Sequence, residues 1–205
     1  MDLLKELGLD EKTLVFFASD NGAAHQDQLF KHSGPLRGYK RDMYEGGIAT
    51  PVIARWPGKI KPGVVSDQVW AFWDFLPTMA ELTDRALPAG IDGVSILPVL
   101  LEGRGFDHPP LYWEFHERGF DQAARMGEWK AVRHGLTGPI ELYNLKADRE
   151  ETRDVAREHP DQVKKFEDYF KTARTDSEDW PIQTERASKP GARAKAQTRS
   201  TKDRD

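Results

Sequence analysis

TLVFFASDNG, residues 13–22, is the stretch of sequence that decides the fold. Its first six residues are β-branched, aromatic or otherwise apolar, and uninterrupted runs of this kind are typical of strands covered on both faces. We therefore interpret residues 13–18 as a central, parallel strand of an α/β sheet. The polar residues Asp20 and Asn21 follow at the carboxyl end of this strand, where open α/β sheets bind their ligands.

The flanking segments predict the rest of an α/β unit. Residues 2–7 carry three leucines on one helical face, and the glycine after them is suited to end a helix. A second apolar run, residues 51–56 (PVIARW), is interpreted as another strand of the same sheet, and a helix is predicted over residues 74–82. The fold class predicted for residues 1–105 is therefore α/β, part of a central sheet flanked by helices.

The pattern changes from about residue 106 onward to short stretches with aromatic residues and alternating polarity, namely LYWEFHE, ARMGEWKAVRH and ELYNL. Such stretches predict an antiparallel sheet of at least three strands. A helix that opens with a proline is predicted over residues 160–172. We interpret residues 106–180 as a small subdomain of antiparallel sheet and helix, and the basic low-complexity residues 181–205 as a disordered tail.

Composition limits the function classes. The 205 residues carry a net charge of −4, which gives no electrostatic footprint for nucleic acid. No apolar run approaches the ~20 residues of a membrane span. The absence of cysteine excludes disulfides and thiolate metal sites. Because Met1 opens directly into a charged amphipathic pattern, no signal peptide is predicted, and the sequence assigns no compartment.

Asp20 and Asn21 are candidate metal ligands. A carboxylate and an amide carbonyl are hard oxygen donors suited to Ca²⁺ or Mg²⁺. Gly22 allows the backbone to turn sharply after them. Asp-Asn-Gly is also among the commonest turn compositions, so from these residues alone an ordinary turn is the alternative.

A segment about twenty residues further along supplies cations. Lys40 precedes the triplet Glu45-Gly46-Gly47, and it is either a solvated surface lysine or a point charge that neutralises an oxyanion near the metal. Arg37 offers a bidentate fork for the same task, with an ion pair to a nearby acid as the alternative. Glu45 is interpreted as structural, anchoring a loop that its glycines allow to bend.

Four further residues are candidates for proton transfer. His25 and His32 lie in the loop between these motifs, and either is able to act as an acid or to donate to a leaving oxygen. His25 is the one we name as a catalytic candidate beside Lys40. Glu114 and His116, in the stretch WEFHE, are alternatively ordinary sheet residues.

Seven stretches in order resemble the carboxyl-terminal part of the arylsulfatase family of sulfatases, within the alkaline phosphatase superfamily. They are LLKELGLDEKTLVFFASDNG, GPLRGYKRDMYEGG, PVIARWPGKIKPG, DFLPTMAEL, DGVSILPVL, MGEWKAVRH and ELYNL. The resemblance runs from Met1 to about Glu151, with weaker support to Trp180. Each stretch is weak by itself, whereas their shared order is specific.

The resemblance implies roles for three residues. In this family the Asp and Asn of the S-D-N-G segment ligate a divalent cation, usually calcium, and they match Asp20 and Asn21. The lysine of the G-x-K…E-G-G segment contacts the sulfate, and it matches Lys40. A cation and a lysine both neutralise the non-bridging oxygens of the ester and stabilise charge in the transition state. The implied reaction is hydrolysis of a sulfate ester, on a sulfated small molecule or sulfated sugar, with Ca²⁺ or Mg²⁺.

The sequence departs from the family pattern in two places. Ala49 stands where the family often has an arginine. The family's nucleophile is a formylglycine made from Cys or Ser in C/S-x-P-x-R, but this chain has no cysteine, and residues 188–193 (SKPGAR) place the arginine one position late. We therefore expect the formylglycine on an amino-terminal half outside this sequence, which, if separately encoded, is a candidate partner. We expect no turnover by this chain alone.

Two other functions stay open at this point. The chain is alternatively a non-catalytic remnant or binding module that keeps a weak metal or anion site. A related phosphoester or phosphonate hydrolase is the third hypothesis, and the sulfatase-like stretches after Pro51 disfavour it.

Overall fold

The computed structural model describes residues 1–24, 32–117, 119–179 and 181–182. Its strands form two sheets, one of two strands and one of four. Within these ranges, none of the helices has the length and apolar character needed to cross a membrane. The helices and strands are α1 (Asp2–Glu6), β1 (Val15–Ala18), α2 (Glu45–Ile48), β2 (Val52–Arg55), α3 (Phe75–Leu82), α4 (Leu97–Glu102), β3 (Leu111–Phe115), β4 (Asp121–Met126), β5 (Trp129–His134), β6 (Ile140–Asn144) and α5 (Pro160–Thr172).

The first sheet pairs β1 with β2, so both predicted strand runs lie in one sheet as expected. The pairing is antiparallel, and Phe17 stands opposite Ile53. These two side chains are 70% and 62% exposed. Within the described ranges β1 is therefore not the parallel strand covered on both faces that its composition suggested. An all-apolar run specifies a strand, but it carries no information on the direction of its neighbour.

α3 contacts this sheet, whereas α1 has no buried residue. α3 begins at Phe75, whose ring lies edge-on to that of Phe16 with centroids 5.4 Å apart. Asp74 immediately before the helix is fully buried and accepts the backbone N–H groups of Ala71 and Val94 at 2.7 and 2.9 Å. These bonds fix the start of α3.

The second sheet has the order β3-β4-β5-β6, with every pair antiparallel, which confirms the predicted sheet. Because side chains alternate between the two faces of a strand, one face meets α5 and the other meets the segment before α2. The α5 face is a cluster formed by Ala124, Ala131, Ile140, Leu142, Phe166 and Phe170. The other face is a cluster formed by Met43, Tyr44, Ala123, Val132, Tyr143 and Leu145.

The division of the chain near residue 105 stays a prediction. Met43 and Tyr44, from the first part, belong to one hydrophobic cluster with residues of the second sheet. The two parts are therefore packed against each other through the segment immediately before α2. The predicted tail lies almost wholly outside the described residues, which end at residue 182.

Candidate functional site

The Asp20-Asn21-Gly22 turn lies directly on α2. The backbone N–H of Gly22 donates to the carbonyl of Gly47 at 2.9 Å. A Cβ built on Gly22 would stand 1.9 Å from the carbonyl oxygen of Gly46. Only a residue without a side chain permits this approach, so the glycines of the two motifs are what bring the turn and the helix together.

Lys40 reaches the same place through its backbone. Its N–H donates to the carbonyl of Ala23 at 2.7 Å, two residues after Asn21. The N–H of Gly46 in turn donates to the carbonyl of Arg37, also at 2.7 Å. The three sequence motifs therefore meet in one small region at the carboxyl end of β1, although loop residues separate them along the chain.

The side chains at this region are open to solvent. Asp20 and Lys40 are exposed and Asn21 is half-buried. The Asn21 amide Nδ2 donates to Asp20 Oδ1. The two candidate ligands are thus in contact, with the amide nitrogen facing the carboxylate. Half a turn about the last side-chain bond would instead present the amide oxygen.

These donors fit a cation as part of a larger ligand set. Carboxylate and amide oxygens are the ligands that Ca²⁺ and Mg²⁺ take, but calcium needs about six to eight of them. In the part of the chain that the structure describes, no group of three or more His, Cys, Asp or Glu side chains is arranged to hold a metal ion. Asp20 and Asn21 alone therefore supply too few ligands for a complete site.

Arg37 points away from this region and joins the second sheet. Its guanidinium donates to the hydroxyls of Tyr143 and Tyr44 at 2.7 and 3.0 Å and lies 3.7 Å from Glu141. Both hydroxyls donate to Glu141, and burial followed by this carboxylate raises the pKa of each tyrosine. An ion pair within the fold, the alternative named for Arg37, is the arrangement found.

Glu45 is structural, as interpreted from the sequence. Its side chain is 6% exposed, and Lys130 Nζ donates to its Oε1 at 2.9 Å. Sequence reasoning missed both Lys130 and the third member of this cluster, Glu151. The alternation of β5 was the available signal, because it puts Lys130 on the same face as the apolar Val132.

The structure describes three of the four proton-transfer candidates. His25 lies outside the described residues, and His32 is exposed. Glu114 and His116 contact each other at 3.1 Å on the second sheet, where Tyr112 also donates to Glu114 at 2.9 Å. Burial, the largest cause, raises the pKa of Tyr112 to about 12. This pair belongs to a hydrogen-bond network of the sheet.

Comparisons of sequence and of structure relate this chain to known proteins. The family model "Sulfatase" matches residues 1–85. N-acetylgalactosamine-6-sulfatase of Homo sapiens is 38% identical over 136 residues, covering 64% of this chain and 25% of that protein. N-acetylgalactosamine-6-O-sulfatase of Bacteroides thetaiotaomicron is 29% identical over 202 residues, covering 85% of this chain and 39% of that protein. The crystal structure of Ps i-CgsB in complex with k-i-k-neocarrahexaose superposes with a TM-score of 0.73 at 26% identity. The match covers 89% of this chain and 40% of the other.

This chain matches only a part of each of these proteins. The chain spans between 25% and 40% of the length of these three proteins. The segment matched by the family model, residues 1–85, contains both the Asp20-Asn21-Gly22 turn and the Lys40 loop. The family model over residues 1–85, the sulfatase relatives and the structural neighbour together support a member of the sulfatase family.

Proposed function

We propose that this chain supplies cation-binding and sulfate-binding residues to a sulfuric ester hydrolase of the arylsulfatase type. In this proposal, Asp20 and Asn21 are two ligands of a divalent cation, Ca²⁺ with Mg²⁺ as the alternative. Lys40 contacts the sulfate group of the substrate. Relatives named as sulfatases, of which this chain spans a minor part, support the reaction class.

The observation that carries the proposal is the backbone contact between the two motifs. Because Lys40 N–H is bonded to Ala23, the lysine stem starts beside the turn that holds the two oxygen donors. Lys40 and Asp20 are both exposed, so an anion and a cation arriving from solvent can reach both side chains.

The chain's own residues have limited tasks in this reaction. Lys40 is a compact point charge that neutralises a non-bridging oxygen of the ester. Asp20 and Asn21 hold the cation, which when bound polarises the same oxygens as a Lewis acid. The nucleophile, a formylglycine in this family, is proposed to lie on a segment outside this sequence, since the chain has no cysteine. A separately encoded amino-terminal half is the proposed partner.

We propose a sulfated sugar as the substrate class. Two of the relatives are named for 6-sulfated N-acetylgalactosamine, and a structural neighbour is described in complex with k-i-k-neocarrahexaose. The exposed position of Lys40 suits a substrate whose sulfate projects from a larger molecule.

Ligand titration of the isotope-labelled chain tests the two binding roles directly. Calcium should shift the amide signals of Gly22 and Ala23, with a dissociation constant on the order of millimolar or weaker because the ligand set is incomplete. Sodium sulfate should shift the Lys40 amide. Asp20→Ala should remove the calcium response, and Lys40→Ala the sulfate response. The matched control Lys59→Ala removes another exposed lysine and should change neither response.

An activity assay separates the enzyme from the alternative function. A chromogenic aryl sulfate and Ca²⁺ are incubated with this chain, with and without a co-expressed polypeptide that carries a C-x-P-x-R segment. Turnover is expected only with both chains and should be lost in Lys40→Ala. Turnover by this chain alone would contradict the proposed place of the nucleophile. No turnover in either case would favour the non-catalytic binding module.

A further inference from the structure

Three buried charged side chains tie α2 to the second sheet. Lys130 Nζ lies 2.9 Å from Glu45 Oε1 and 2.9 Å from Glu151 Oε1. Glu151 Oε2 accepts the backbone N–H of Glu45 at 2.6 Å. The side chains of Lys130 and Glu151 are 0% exposed and that of Glu45 is 6% exposed. We call Glu45, Lys130 and Glu151 the charge triad.

The charge triad is balanced by one more cation. Two carboxylates and one ammonium leave a net charge of −1, and Arg125 Nη1 lies 3.9 Å from Glu45 Oε2. Arg125 is the cross-strand partner of Lys130 in the sheet, so both cations project from the same face. Removing Lys130 would leave two buried carboxylates with a single, more distant cation, and an uncompensated buried charge is strongly destabilising.

Glu151 is held in an uncommon backbone conformation. Its φ of 55° lies in the left-handed region, which non-glycine residues rarely adopt. Arg37 Nη1 donates to its carbonyl at 3.1 Å, and its carboxylate bonds the first residue of α2. Both contacts run to the segment that carries the Lys40 loop. The strained residue Glu151 therefore lies at the junction between the second sheet and the candidate site.

α2 packs directly against the candidate site through glycines that allow close approach of the backbones. A Cβ on Gly46 would stand 2.3 Å from the carbonyl oxygen of Gly38, and one on Gly22 would stand 1.9 Å from that of Gly46. Such distances mean that the backbones of α2, the turn and the loop pack directly on one another, and closely packed segments transmit strain. A displacement of Glu45 would thus move the Asp20-Asn21-Gly22 turn and the Lys40 backbone.

We propose that Lys130, through the charge triad, is a positioning residue for the Asp20-Asn21 turn and Lys40. It lies on the second sheet, contacts Glu45 and Glu151, and acts by neutralising the carboxylate that anchors α2. The inference rests on the proposed function for the meaning of the site it positions. The positioning itself is a property of this chain without any ligand.

Amide hydrogen exchange on the intact chain tests the positioning without calcium or sulfate. In Lys130→Met, exchange at the Gly22 and Lys40 amides should accelerate by at least about tenfold, since a buried carboxylate loses its partner. The double variant Lys130→Met/Glu151→Gln has one carboxylate and one arginine left and keeps an acceptor for the Glu45 N–H. It should return exchange at both amides to within about threefold of the wild type, as compensated charge predicts.

The matched control is Phe166→Ala, which removes a buried ring on the opposite face of the same sheet. Compared at denaturant concentrations that equalise global stability, it should leave the Gly22 and Lys40 amides protected. Equal acceleration in Phe166→Ala and Lys130→Met, or no recovery in the double variant, would overturn the proposal. If Lys130→Met does not fold, the double variant should fold, and its failure to do so would equally overturn it.

A sulfate titration of the same variants separates this inference from the proposed function. The sulfate-induced shift of the Lys40 amide should shrink in Lys130→Met and recover in the double variant. If wild-type chain shows no response to calcium or sulfate, the proposed function fails, whereas the exchange result still decides whether Lys130 positions the turn.

Discussion

Gly22 and Gly47 are joined by a backbone hydrogen bond of 2.9 Å that links the turn after β1 to the helix α2. The contact depends on space, because a Cβ on Gly22 would stand 1.9 Å from a carbonyl oxygen of α2. Two motifs that the sequence places far apart therefore share one rigid contact, and a substitution at Gly22 reports on it.

We expect Gly22→Ala to destabilise the chain by about 1–3 kcal/mol, because the added methyl group forces two backbone segments apart. Urea unfolding followed by circular dichroism measures the loss. Gly105→Ala is the control, since its Cβ would meet only the side-chain oxygen of Gln68, at 3.1 Å. Equal stability of Gly22→Ala and the wild type would show that the turn does not pack on α2.

Two phenylalanines, one in the core beside the second sheet and one on the first sheet, should contribute very differently to stability. Phe166 is 0% exposed, whereas Phe17 is 70% exposed. Phe166→Ala should lower the free energy of unfolding by about 3–5 kcal/mol through the lost contacts and the cavity. Phe17→Ala should change it by less than about 0.5 kcal/mol, as exposed positions usually do. A large loss from Phe17→Ala in the same urea titration would mean that this face of β1 is covered.

Asp10 and Arg55 predict a loss of stability in acid. Arg55 donates to both carboxylate oxygens, at 2.8 and 2.9 Å, and this hydrogen bonding lowers the pKa of Asp10 below 3.8. Because the folded state favours the ionised carboxylate, the stabilisation is present above pH 3.8 and is lost as pH falls through the lowered pKa. The difference in unfolding free energy between wild type and Asp10→Asn should therefore shrink as pH falls below 3.8. In an Arg55→Gln background that pH dependence should disappear.

Glu151 predicts the opposite trend. Burial, the largest cause, raises its pKa above 4.5, although Lys130 and the Glu45 N–H act against it. The folded state then binds the proton more tightly than the unfolded state, so stability falls as pH rises from 4.5 through the raised pKa. The stability of wild type relative to Glu151→Gln, measured by urea unfolding across this range, should decline with pH. A relative stability that grows with pH would contradict the assignment.

Local patterns were enough to predict most of the elements. The strand content of LYWEFHE, ARMGEWKAVRH and ELYNL, and the helix from Pro160 to Thr172, follow from periodicities of two and of about 3.6 residues. These periods are properties of neighbouring residues, so they are legible without the rest of the chain. The antiparallel direction of β1 against β2 could not be predicted, because an apolar run is compatible with either a parallel or an antiparallel neighbour.

The sequence by itself determined which residues are candidates for the site: Asp20, Asn21 and Lys40 stand in motifs whose residue types suit a cation and an anion, and their roles stay a prediction. The tertiary structure decided how that region is held. Lys130 is 85 positions from Glu45, and Glu151 is 106 positions from it. Nothing local marks these residues as partners, since a lysine in a strand and a glutamate in a loop are usually solvated. Only the packing of α2 against the second sheet removes water from all three, and that loss of water is what makes their pairing necessary.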